Sequence, residues 1–172
     1  MFKLIILFII FLIFSYSGYI YGEKFNNRYK ILQEILKAIN ILQNEIMYNS
    51  TALPEALNVV SEVCRDPLSL LVKDVSRLIY KAEENSIFDM FKISYEKYKE
   101  DLCLKKEDIR IISDFLKSLG ELGVYGQEKM FELAKANLNI NIKDAQIIAE
   151  KNIKLYRYLG VCVGAMIFIF FI

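Results

Sequence analysis

The sequence predicts an all-α protein: a cytoplasmic bundle of about six helices flanked by N- and C-terminal transmembrane helices. Three observations predict it. Leu4 to Tyr21 and Tyr158 to Ile172 carry no charged side chain, whereas residues 23 to 157 hold all 21 acidic side chains and every basic one of the 22 except Lys3. Breakers are scarce, with 7 Gly and 2 Pro in 172 residues. Between the ends, apolar residues recur every three or four positions, the helical period, and not every two.

Residues 1–22 form the first expected membrane helix. Its 18 uncharged residues reach about 27 Å at the helical rise, close to the thickness of a bilayer core. Tyr16, Tyr19 and Tyr21 crowd its end, where amphipathic rings favour the headgroup layer. A cleaved signal peptide is the competing reading, since Lys3, an apolar stretch and Ser15-Tyr16-Ser17 resemble a cleavage site. Residues 157–172 form the second helix. Tyr158 to Ile172 alone reach about 22 Å, so Leu155 and Tyr156 join the span while Arg157 snorkels to the interface. Gly160 and Gly164 form a small-xxx-small pattern that lets helices approach closely in lipid, or they simply face lipid. Lys24, Arg28 and Lys30 follow the first span, and Lys143, Lys151, Lys154 and Arg157 precede the second. The positive-inside tendency therefore puts residues 23–156 in the cytoplasm.

The central residues suffice for one domain with a core. Asn27 to Tyr48 puts Ile31, Leu32, Ile35, Leu36, Ile39, Leu42 and Ile46 on one face, an amphipathic helix running out of the first span. Asn49, Ser50 and Thr51 break it, and Pro54 sits in the first turn of a second helix with Leu57, Val60, Val63 and Cys64 inward. Asp66 as N-cap and Pro67 at the first helical position open a third, carrying Leu68, Leu71, Val75, Leu78 and Ile79. Ser86 to Asp89 is a weaker relative of the capping box before a helix rich in Phe88, Phe91, Tyr95 and Tyr98. Lys105 to Leu119 turns Ile109, Ile112, Leu116 and Leu119 inward. From Gln127 no Gly or Pro intervenes until Gly160, so a sixth helix runs into the second span.

Chemistry is hard to place on this chain. It has no His, which removes the commonest general base and metal ligand together. The pairs Glu83-Glu84, Glu100-Asp101 and Glu107-Asp108 are adjacent on helices among Lys residues and read as solvated surface. Cys64, Cys103 and Cys162 read as buried hydrophobes in a reducing compartment, without disulfides. The Gly120, Gly123, Gly126 spacing fits neither a dinucleotide fingerprint nor a phosphate loop, and reads as a turn. The domain has 21 acidic and 21 basic side chains and no basic stripe for nucleic acid. The run Tyr80, Phe88, Phe91, Tyr95 and Tyr98 reads as core packing, with a ligand cavity as the alternative. No catalytic residue, metal site or cofactor is expected.

Glu45-Ile-Met-Tyr-Asn-Ser-Thr-Ala-Leu-Pro-Glu-Ala-Leu57 resembles the motif of the stage III sporulation protein AB family. An N-terminal span, the Leu119-Gly120-x-Leu122-Gly123 turn and a closing Tyr-x-x-x-Gly before an apolar tail agree with it. The chain departs from the family pattern at Ala52 and at Val124-Tyr125-Gly126. The resemblance implies a non-enzymatic protein of the mother-cell membrane facing the forespore. Its soluble domain is similar to those of type II secretion and type IV pilus platform proteins, and it joins an AA-type secretion ATPase and other channel subunits to the membrane. The motif positions carried over as partner-interface candidates are Glu45, Pro54, Glu55, Ala56, Leu57, Leu119, Gly120, Leu122 and Gly123. A structural role is the competing reading for the motif positions Pro54, Leu57, Gly120 and Gly123: Pro54 starts a helix, Leu57 packs, and the glycines allow a tight turn. Homo-oligomerisation is open. From a different class, the alternative function is a membrane-anchored helical sensor or regulatory protein that binds a small molecule or signalling partner, with an apolar cavity among Phe88, Phe91 and Tyr95.

Overall fold

The structure, a computed structural model, describes residues 2–81, 86–119 and 124–171. Within these, the side chains at 2–8, 10, 11, 14, 15, 18, 21–25, 124, 125, 168 and 171 lie outside the description. The described residues form helices and no strand: α1 (Phe2–Gln43), a π-helical turn (Asn44–Tyr48), α2 (Leu53–Val63), α3 (Leu68–Lys81), α4 (Ile87–Leu102), α5 (Lys106–Leu119) and α6 (Val124–Phe171). The chain divides into two compact units, one of Met1–Tyr29 with Lys143–Ile172 and one of Lys30–Ile142.

In the larger unit, α1 buries Ile31, Leu32, Ile35, Ile39 and Leu42, the stripe its period predicts. Leu36 and Ile46 are only half-buried. The α-helix stops at Gln43, and the last turn widens to the π form, with Asn49 N–H bonded to the Asn44 carbonyl at 3.1 Å. Helix α2 begins on the extended Ala52, whose carbonyl takes Ala56 N–H at 2.9 Å. Its far end is closed by α1: Lys37 Nζ donates to the Val63 carbonyl at 2.8 Å, a cation on the negative end of the helix. Val63 itself is 47% exposed, contrary to its expected inward place, because the Lys37 contact holds its carbonyl and not its side chain against α1.

Helix α3 starts one residue later than the sequence suggests. Pro67 takes the cap's place, accepting Leu71 N–H on its carbonyl at 3.2 Å, and Leu68 is the first helical residue. Two serines tie α3 to α2. Ser69 Oγ donates to the Ser61 carbonyl at 2.6 Å, and the fully buried Ser76 Oγ lies 3.0 Å from the Pro54 carbonyl and 2.9 Å from Asn58 Oδ1. Helix α4 opens as the sequence predicts, with Ser86 Oγ accepting Phe88 N–H at 3.2 Å. It ends on Cys103 in the left-handed region, φ 51°. Asp74 of α3 binds it through Lys97 Nζ at 3.1 Å and the Tyr98 hydroxyl at 3.2 Å. At the centre, Phe131 of α6 is fully buried and meets Phe115 of α5 edge-on at 5.0 Å.

In the smaller unit, Ala145, Ala149 and Gly164 of α6 are buried and Gly160 is half-buried. The Arg157 guanidinium stands 5.6 Å from the centre of the Tyr19 ring. Among the described residues no helix is long and apolar enough to cross a membrane. More than half of the side chains of Leu4–Tyr21 are outside that set. The all-helical class is thus found, and the flanking transmembrane helices find no support among the described residues.

Candidate functional site

The Glu45–Leu57 motif folds into the turn between α1 and α2. Glu45 sits in the π-helical turn and clamps the chain that follows it. Its Oε2 accepts the Thr51 hydroxyl at 2.7 Å, its Oε1 accepts Asn49 Nδ2 at 3.1 Å, and its carbonyl accepts Thr51 N–H at 2.8 Å. One carboxylate therefore satisfies the side chains of a turn that carries Ser50 at φ 54°. Pro54 stands in the first turn of α2, and its carbonyl takes the Ser76 contact, so the proline is both helix starter and tie to α3. Ala56 is fully buried and Leu57 is 6% exposed.

Glu55 differs from the other four. It is exposed and, among the described residues, makes no ion pair or hydrogen bond. A carboxylate in the first turn is favoured by the helix dipole, which leaves its outer oxygens available to a partner. Earlier in the same motif, Tyr48 is 77% exposed. The motif thus separates into inward residues that build the turn and one acidic side chain that faces out. Leu119 is buried at the end of α5 and accepts Gln127 Nε2 on its carbonyl at 3.2 Å. Gly120, Leu122 and Gly123 lie outside the described residues.

One buried carboxyl group escaped the sequence reading, and the apolar cavity held there as the alternative is present with a different wall. Asp108, expected at the surface with Glu107, is fully buried. Its Oδ2 accepts Lys105 N–H at 2.9 Å, the acidic half of a capping box, and its Oδ1 accepts Asn141 Nδ2 of α6 at 2.7 Å. The signal was present in the acid three residues after the helix start, but nothing in the sequence pairs it with Asn141. The cavity is partly open, with a volume of about 80 Å³. It is walled by aliphatic side chains of α1, α2, α3 and α5 with Phe91 and Tyr95 of α4, whose rings stack at 5.8 Å. Phe88 does not line it and lies under Lys117 Nζ at 4.5 Å. Tyr80 is 59% exposed, so the aromatic run is not one core stripe. At about 24 cal/mol per Å³, such a void costs about 2 kcal/mol when empty.

The cysteines also divide. Cys64 is buried, and burial first, then the Glu34 carboxylate, pushes its thiol above the usual value against the opposing Lys37. Cys103 and Cys162 are exposed, contrary to their expected burial, Cys103 because it ends α4 in a left-handed turn. All three thiols are free. Glu132 is held below the usual carboxylate range by its hydrogen bond from Lys135. Lys135 Nζ also donates to the buried Gln43 Oε1 at 2.8 Å, joining α6 to the end of α1. Among the described residues no group of three or more Cys, Asp or Glu side chains is placed to hold a metal ion.

The profile of stage III sporulation protein AB matches residues 3–172. The chain belongs to the stage III sporulation protein AB family. Stage III sporulation protein AB of Bacillus subtilis (strain 168) is 26% identical over 153 residues, 89% of each chain. A solved structure of stage III sporulation protein AB, 25% identical, superposes with a TM-score of 0.65 over 71% of this chain and 95% of its own. The family match takes in the α1–α2 turn, the end of α5 and both apolar ends.

Proposed function

We propose that this chain is a non-enzymatic membrane platform of a sporulation-specific channel between mother cell and forespore, coupling a cytoplasmic secretion ATPase to the membrane complex. Membership of the stage III sporulation protein AB family along residues 3–172 carries the reading. The sequence supports attachment by both ends: 18 uncharged residues at Leu4–Tyr21 and an uncharged Tyr158–Ile172, each with its basic flank on the side of the central domain. The domain between them is a helical bundle whose family motif presents Glu55 outward. Glu55 is the first residue to which we assign ATPase contact, through a basic side chain of the ATPase.

The reading is tested by measuring binding of the AA-type sporulation ATPase to the full-length chain in lipid nanodiscs. Binding above that to empty nanodiscs is expected, and equal binding overturns the platform role. A second reading, a membrane-anchored helical sensor, is favoured by one observation, the apolar cavity beside Phe91 and Tyr95.

A further inference from the structure

We infer that the cavity in the Lys30–Ile142 unit is a binding site for the end of an aliphatic chain, with the polar remainder of the ligand outside. The volume, about 80 Å³, is far above a single water site, and close-packed interiors hold few such voids. The wall excludes water as a stable occupant, since buried water needs two to four polar partners. Of the lining side chains only Tyr95 carries a polar atom, and the rest are Leu, Ile, Val, Ala and Phe. An apolar void about half the size of an engineered cavity that takes up benzene accepts a short hydrocarbon segment.

Small volume and partial openness favour a chain end over a compact ring. The cavity is partly open, so a ligand enters by its tail and leaves its head in solvent. Branched aliphatic side chains from helices α1, α2, α3 and α5 dominate the wall, among them Ile39, Leu57, Val72 and Val75. Phe115 belongs to the wall but is already engaged edge-on by Phe131. Several wall residues sit at helix ends or in a linker: Leu53 starts α2, Ile87 starts α4, Leu104 joins α4 to α5 and Leu119 ends α5. Burial raises the Tyr95 phenol above its ordinary value, so it stays protonated and neutral at physiological pH. The chemistry recognised is an uncharged alkyl terminus, as in a fatty alcohol or acyl chain.

This deepens the sensor reading and is independent of the platform reading, which fails or stands on ATPase binding alone. The test uses the full-length chain in nanodiscs with methyl-labelled Leu, Ile and Val, and decan-1-ol as the probe. Nuclear Overhauser effects from the terminal methyl of decanol to the Leu57, Val72 and Val75 methyls are expected. Those to Leu57 and Val72 should weaken at least tenfold in Ala38→Leu and in Val75→Phe, each of which fills the void, while the spectrum stays folded. Contacts confined to exposed aliphatic residues mean partition into the bilayer only and overturn the proposal. So do contacts of equal strength in a folded, filled variant, or their absence from the native chain. Decanoate distinguishes sources: binding equal to decanol assigns fatty acids to the site, and binding by decanol alone assigns neutral chains.

Discussion

Replacing Asp108 tests how the bundle holds α6. The carboxyl group is fully buried and accepts hydrogen bonds from Lys105 N–H and from Asn141 Nδ2. In Asp108→Ala both donors lose their acceptor, and the Asn141 amide is left without this partner. Leaving a buried donor unsatisfied costs about 1–3 kcal/mol, so losing the acceptor of both is expected to cost roughly 2–6 kcal/mol. Asp108→Asn is the control. It keeps the shape and one acceptor, and rotation of the Asn141 amide restores one bond, so the loss should be about 1–2 kcal/mol. Chemical unfolding of the full-length chain in detergent, followed by far-UV circular dichroism, measures both. A double-mutant cycle with Asn141→Ala should show a coupling of at least about 1 kcal/mol, because the two side chains share one bond. Asp108→Ala within about 0.5 kcal/mol of the native chain, or additive effects in the cycle, would refute the clamp.

Three further expectations follow from the site. Glu45→Ala should destabilise by about 1–2 kcal/mol by releasing Thr51 and Asn49, read by the same unfolding assay; no loss would show that the turn does not depend on its carboxylate. Glu55→Lys should cost less than about 1 kcal/mol of stability, the scale of its helix-dipole term. The same substitution should weaken ATPase binding at least about tenfold, or 1.4 kcal/mol, and unchanged binding would remove Glu55 from the interface. The cysteines report topology: a membrane-impermeant maleimide should label Cys103 in inverted vesicles and not in spheroplasts. The buried Cys64, its thiol raised by desolvation, should react only after unfolding, because the thiolate is the nucleophile. Labelling of Cys103 in intact spheroplasts would put the central domain on the other side of the membrane.

Helices were legible because their signals are local. Ser86 announces α4 by its hydroxyl, Pro54 fits only a first turn, and the Ile31-to-Leu42 stripe repeats at the helical period, so propensity, capping and pattern agree. What was not legible depends on partners distant in sequence. Asp108 looks like any acid in a Lys-rich helix until Asn141, 33 residues later, closes on it. Val63 has the spacing of a core residue, yet Lys37 from α1 takes the carbonyl and leaves the side chain outside. Pro67 was given the first helical place by the usual preference, and the chain uses it as the cap. At the candidate site the motif was legible as a string and its division of labour was not. Only the three-dimensional turn separates Glu45, spent on Thr51 and Asn49, from Glu55, which faces solvent.

The platform role is tested most directly by affinity purification of tagged full-length protein from sporulating cells, solubilised in detergent, with co-purifying proteins identified by mass spectrometry. Enrichment of the sporulation ATPase and channel subunits over an untagged control, reduced in Glu55→Lys, is the result the account predicts. Recovery of the folded protein without the ATPase or channel subunits would contradict it.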